Sequence, residues 1–227
     1  MRYALLGLLF TGGCDGVFQL DTIEPDAPRP IDAPPPVDVC GSQPETAPIR
    51  VSGQMHDASN DAPIAGLDVD ATPGGNALTG AGGDFAIDVS TNNELLFVSL
   101  LTTGVAAYPT HAIHYQRAYT SSMDASSKLL PSTAIESLYG APAPVGYATA
   151  LVSLRDCAGN GLGGATITVS QAGSVIYQGG GTSTNGTGVA YALNIQPGAV
   201  TVTPSVGRAF EYEAHDGEMA IVYLATP

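Results

Sequence analysis

Asp57-Ala58-Ser59-Asn60-Asp61-Ala62-Pro63-Ile64-Ala65-Gly66-Leu67-Asp68-Val69 is a stretch that the chain writes twice. Its second copy is Asp156-Cys157-Ala158-Gly159-Asn160-Gly161-Leu162-Gly163-Gly164-Ala165-Thr166-Ile167. The first copy continues through Thr79-Gly80-Ala81-Gly82-Gly83-Asp84-Phe85, the second through Thr184-Asn185-Gly186-Thr187-Gly188-Val189-Ala190. In both, an Asp closes an apolar strand and opens a turn by bonding its own downstream amides. Gly66 and Gly164 supply positive φ where the chain re-enters a strand. Thr, Gly four places on and an apolar residue two after that read as a tight hairpin, with Gly83 and Gly188 at the left-handed position. Neither copy has helical periodicity, so one antiparallel β-domain is expected twice.

The alternation around the two copies names a core. Ile49, Val51, Gly53 and Met55 alternate inward, then Leu67, Val69 and Ala71, then Phe85, Ile87 and Val89. Glu94 to Leu101 is apolar on both faces, which suits a central strand. Tyr108 starts the last strand of this half, through Ile113 and Tyr115. In the second half Val152, Leu154, Ile167, Val169, Tyr191, Leu193 and Ile195 alternate, as do Val200 and Val202, Phe210 and Tyr212, and Met219, Ile221, Tyr223 and Ala225. Between the halves, Ser132 to Tyr139 follows Pro131 and precedes Gly140. It reads as a short helix capped by Ser132 or Thr133. Pro142 and Pro144 then mark a linker.

The pattern resembles the carboxypeptidase regulatory-like domain, a transthyretin-like β-sandwich. Pro63, Ile64, Gly66, Val69, Thr79, Gly83 and Phe85 fit it in the first copy. Leu162, Gly164, Ala165, Ile167, Thr184, Gly188, Pro197 and Gly198 fit it in the second. The chain departs from it at Gly80 and Asn185, where the family has Asp, and at Leu67, where it has a small residue. The resemblance covers residues 47–227 and implies a non-catalytic module: a folding aid, a spacer or a binding unit. The expected fold is therefore all-β, with two tandem antiparallel transthyretin-like or Ig-like sandwiches, 47–122 and 145–227. Residues 123–144 are expected as a linker carrying the helix. Each sandwich is expected to fold as its own unit, with a small shared interface.

The amino terminus reads separately. Residues 1–14 place Arg2 before a seven-residue apolar core, Ala4 to Phe10, too short for a bilayer that needs about 20 residues. Gly12-Gly13-Cys14 resembles a bacterial lipobox, with Thr11 where Leu is usual. That resemblance implies a signal peptide, lipidation of Cys14 and a membrane anchor. An ordinary signal cut nearby is the competing reading. Residues 15–46 hold seven acids against one base, Arg29, and seven prolines. Such a stretch cannot bury enough apolar surface to offset its ordering entropy, so a disordered, semi-rigid tether is expected, reaching at most about 100 Å. Localisation is thus expected to be exported and lipid-anchored in the bacterial envelope. Asp15 leaves inner and outer membrane open, because in some bacteria an Asp there retains lipoproteins in the inner one.

Candidate chemistry is sparse. The net charge of −14, from 7 basic and 21 acidic residues, excludes a nucleic-acid partner, which needs clustered Lys and Arg. His111 and His114 lie three apart, on opposite faces of a strand, and Asp57, Asn60, Asp61, Asp68 and Asp70 miss the Ca²⁺-loop spacing, so no metal and no cofactor are expected. Gly181-Thr182-Ser183-Thr184-Asn185 lacks the second Gly of a nucleophile elbow. Ala125 stands where a Ser-x-x-Lys motif ending at Lys128 needs Ser, and His215-Asp216-Gly217 reads as a turn. No enzyme and no catalytic residue are expected. With Cys14 lipidated, Cys40 and Cys157 remain. An exported compartment permits a disulfide between them, and two free thiols stand as the alternative. The partners expected are the membrane through the anchor and an envelope protein or polysaccharide. Tyr108, Tyr115, Tyr119, Tyr139 and Tyr147 are candidates for a sugar platform or for packing.

Overall fold

β1 (Ile49–Asp57), β2 (Asp68–Thr72), β3 (Asn76–Leu78), β4 (Asp84–Val89), β5 (Phe97–Thr103) and β6 (His111–Gln116) make up the first copy. β7 (Ser122–Asp124), β8 (Ser127–Leu129) and the helix α1 (Ser132–Tyr139) connect it to the second. The second holds β9 (Ala148–Asp156), β10 (Ile167–Val169), β11 (Ser174–Tyr177), β12 (Val189–Ile195), β13 (Gly198–Pro204), β14 (Phe210–Ala214) and β15 (Met219–Thr226). The structure, a computed structural model, describes residues 40, 48–72, 74–89, 97–116 and 122–226, all within one compact unit that spans residues 35–227. Cys14 and nearly all of the 15–46 segment lie outside the described residues, as does Tyr119.

The fold is all-β, and its sheets pack as sandwiches. An eight-stranded sheet runs β11-β12-β9-β15-β6-β5-β2-β3. A second sheet, β4-β1-β7 with β8 also on β1, belongs to one core with Val98, Leu100, Ile113, Tyr115 and Ile221 of the long sheet. A third sheet, β10-β13-β14, belongs to another core with Ala150, Val152, Leu154, Ala220, Val222 and Leu224. Ile221 and Val222 are neighbours on one strand, so the two cores lie on opposite faces of the same sheet.

That junction differs from the small interface expected between independent sandwiches. β15 pairs parallel with β9 on one side and parallel with β6 on the other, from Met219↔His111 to Leu224↔Gln116. The physical reason is legible in its residues. Met219-Ala220-Ile221-Val222-Tyr223-Leu224 is apolar without a break, and five of the six are buried. A strand apolar on both faces belongs at the centre of a sheet covered on both sides. Reading it as alternation credited Ile221 and Tyr223 and passed over Ala220, Val222 and Leu224.

The linker also starts later than residue 123. β7 and β8 pair parallel with β1, and Met123, Ala125 and Leu129 are buried in the first core. A Cβ at Gly53 would sit 2.5 Å from the backbone nitrogen of Ser126, so only glycine lets the chain cross β1 between β7 and β8. α1 has the expected bounds, but Pro131 holds the N-cap position with no side-chain cap, and Gly140 ends the helix in the left-handed region at φ 66°.

The two copies close with the same hydrogen bonds. The Thr79 hydroxyl accepts from Leu67 N (2.9 Å) and donates to Ile64 O (2.7 Å). The Thr184 hydroxyl accepts from Ala165 N (3.0 Å) and donates to Leu162 O (2.7 Å). Gly66 N donates to Thr79 O, and Gly164 N to Thr184 O. Gly83 and Gly188 are both left-handed, at φ 74° and 72°, and their carbonyls accept from Met55 N and Leu154 N. Asp57 and Asp156 each bond an amide two residues on.

Candidate functional site

The long sheet is covered unevenly, and the unevenness makes a groove. On the face that carries the second core, the β10-β13-β14 layer ends at β14. Beyond it the same face of β6, β5 and β2 has no layer above it among the described residues. Leu101 on β5 is 39% exposed there and Leu78 on β3 is 69% exposed. The strand read as apolar on both faces is thus buried on one, through Val98 and Leu100, and open on the other, through Ser99 and Leu101. The groove between this floor and β14 has a volume of about 830 Å³, within the size of ligand clefts. Its floor is Ser99, Leu101, Ala112, His114 and Gln116, and its wall is Ala209 to Glu213 with His215 and Glu218.

Polar groups converge on it without partners. His114 Nε2, Gln116 Oε1, Tyr212 OH and Glu218 Oε1 are buried and make no hydrogen bond in the structure. His114 Nδ1 is 2.8 Å from Ser99 Oγ, and its ring lies tilted against Phe210 (5.6 Å) and Tyr212 (5.0 Å). Burial lowers the His114 pKa to about 4, so the imidazole is neutral at pH 7. Burial also raises Glu218 to about 7, opposed by His215. Tyr212 is pushed up by burial and then by the Glu218 charge. The result is a wall of weakly charged polar groups, with the exposed carboxylates of Glu211 and Glu213 at the rim.

Ser99 and His114 have a nucleophile–base distance, but not the rest of the apparatus. No carboxylate orients Nε2, which has no partner, and burial makes the ring a weak base. Among the described residues, no group of three or more His, Cys, Asp or Glu is placed to hold a metal, and no helix is long and apolar enough to cross a membrane. His111 stands apart from His114: its Nδ1 donates to Pro109 O at 2.8 Å, and burial lowers its pKa to about 4.

The sequence-based candidates fall elsewhere. Cys40 and Cys157 are joined by a disulfide with S–S 2.11 Å, across 117 residues of chain. Tyr108, Tyr115 and Tyr139 serve packing and internal hydrogen bonds. Tyr115 stacks on Tyr223 at 4.9 Å and donates to Ala125 O. Tyr139 OH lies 2.8 Å from Thr149 Oγ1 and accepts from Asn194 N. Tyr108 donates to Asp57 Oδ2 at 2.5 Å; burial first, then this carboxylate, raises its pKa to about 12. Tyr147 is 38% exposed. Sequence reasoning missed Gln116, Tyr212 and Glu218 because the groove draws on β5, β6, β14 and a turn. The sole local sign was an acid, Glu218, placed directly before a continuous apolar run.

No family model matches the chain, and no curated protein matches it. Among solved structures it is similar to the Bacillus anthracis TIE protein, at 13% identity and TM-score 0.26, over 80% of this chain and 34% of that one. It is also similar to a Streptococcal ancillary pilin, at 12% identity and TM-score 0.27, over 80% of this chain and 63% of that one. The chain thus spans about a third of the first and under two thirds of the second. The shaft pilin spaA from Lactobacillus rhamnosus GG is similar at 8% identity and TM-score 0.26, over 80% of this chain and 98% of that one.

Proposed function

We propose that this chain is an exported, lipid-anchored protein of the bacterial envelope, whose non-catalytic β-layers present the groove beside β14 to a ligand. The observation that carries this reading is the Cys40–Cys157 disulfide. Such a bridge persists in oxidising compartments outside the cytosol. It also ties the root of the Pro-rich segment to the first turn of the second copy, so the segment from Cys14 to Cys40 would hold the groove away from the bilayer. A polysaccharide ligand calls for open aromatic faces. Tyr212 is only 7% exposed and packs against His114, which favours a protein ligand.

Cys14→Ser is the test. The variant should move from the membrane to the soluble fraction and lose metabolic acyl label. Membrane fractionation that persists without acyl label would end the anchoring reading. Several acyl chains on one Cys hold stably because each buried CH₂ contributes about 0.8 kcal/mol.

A further inference from the structure

The edge of β14 that faces the groove has its hydrogen-bonding phase fixed by its neighbours. Ser170 N donates to Thr201 O and Ser205 N donates to Thr166 O, so odd-numbered residues of β13 turn their main chain toward β10. Val200 and Val202 therefore turn theirs toward β14, opposite Tyr212 and Phe210. Along β14 the alternation leaves the N–H and C=O of Glu211 and Glu213 directed away from β13, into the groove. Ala209, in the same phase, gives an independent check: its carbonyl accepts from Gln116 Nε2 at 3.0 Å, across the groove. A β6 side chain thus already satisfies one outward group of this edge. The next two residues have no such partner on the described strands, where β14 pairs with β13 alone.

We propose that the groove accepts an extended, basic segment of another protein as an added strand along Glu211–Glu213. This rests on the reading of the chain as a ligand-presenting module. The added strand would continue the β10-β13-β14 layer over the floor of the groove and cover the exposed side of Leu101. Five residues of edge offer about 17 Å, enough for a segment of similar length. Main-chain bonds would supply the common part of the affinity, and alternate side chains facing Leu101 and His114 the selective part. Charge decides the occupant. Glu211 and Glu213 line one side, and exposed Asp70 is in register with Leu101 on the other. With 21 acidic and 7 basic residues, this chain repels a second copy of itself, and its own bases are scattered singly.

The test uses full-length protein, isotopically labelled, and a capped octapeptide of alternating lysine and valine. Binding should slow amide exchange at Glu211 and Glu213. Methylating alternate peptide nitrogens leaves charge and side chains intact but removes one edge of donors. It should weaken binding about tenfold, as loss of two hydrogen bonds implies. The exposed double substitution Glu211→Lys with Glu213→Lys should weaken it by a similar factor. Four results would each overturn the proposal: no binding of the octapeptide, equal binding of the methylated peptide, protection of the same amides by self-association, or their perturbation by cellohexaose instead. The envelope reading fails separately, on the fractionation of Cys14→Ser.

Discussion

Gly188 holds its place for two reasons that a side chain cannot meet together. Its φ is 72°, and a Cβ would lie 2.1 Å from Leu154 O, the carbonyl that accepts from Leu162 N. Gly159 shares the positive φ but has open space around it. Gly188→Ala should therefore cost about 3 kcal/mol or more, and Gly159→Ala about 1 kcal/mol, in urea unfolding. Equal losses would mean that backbone conformation alone sets the requirement. Glu218 gives a prediction of opposite character. Its folded pKa is near 7 against an ordinary carboxyl value of 4.5, so between those values the folded chain holds a proton that the unfolded chain has released. Stability is thus lost as pH rises from about 4.5 to 7. Glu218→Gln should remove that loss and raise stability at pH 8 by on the order of 1–2 kcal/mol, allowing for solvent at the groove mouth. His111 and His114 act in the other direction: with folded pKa values near 4, they contribute stability above about pH 6.5 that is lost as pH falls toward 4. Melting temperatures from pH 4 to 8 would separate the two, and a Glu218→Gln profile parallel to the parent's would refute the assignment. What was legible at this scale was what acts locally. Asp57, Gly83, Asp156 and Gly188 each make a bond within their own turn, and Gly66, Thr79, Gly164 and Thr184 bond within their own copy. Gln116, Tyr212 and Glu218 were not legible, because each acquires its meaning from a strand distant in sequence.

Among the elements, strand length and periodicity divided the legible from the hidden. β1 and β4 alternate cleanly and were placed from sequence, whereas β12 was placed in extent but not in phase: Ala190 and Ala192 join Ile195 in the second core across a register shift, and Tyr191 packs instead beside Met219 and Ile135. β7 and β8 are three residues each, Ser-Met-Asp and Ser-Lys-Leu, too short for any period to show. β1 recruits them, and Gly53 lets them pass. β15 is the reverse case, long enough to read but apolar on both faces. Its two faces give the test at this scale. Ile221→Ala opens a cavity in the first core and Val222→Ala one in the second. Expected costs are about 2–5 and 1–3 kcal/mol, with each variant unfolding in a single transition seen by probes in both halves. Two separate transitions, one per core, would show that β15 does not couple them.

For the whole molecule, the repeated turns close with the same hydrogen bonds in both copies, and they conceal how the two are joined into one compact unit. The repeat is visible in sequence because its bonds stay within one copy and the same residue types make them in both. The joining is a parallel ladder whose partners are over a hundred residues apart in the chain, as in Ile221↔Ile113. No motif of turn residues can report that pairing. Residues 48–129 expressed alone would leave the β6 edge unpaired, and residues 145–227 alone would leave the β15 edge unpaired and one face of β9 and β15 without the first core. Each fragment should give a poorly dispersed amide spectrum, and mixing the two should restore the dispersed one. Well-dispersed spectra from both fragments alone would mean that the ladder adds little to two already complete units.

The position of β15 carries a consequence for biosynthesis. It follows every other strand of the eight-stranded sheet in sequence, yet it lies between two of them. Synthesis proceeds from the amino terminus, so β6 and β9 each keep one open edge until β15 has emerged. A chain that stalls before Met219 would keep those edges exposed to proteases.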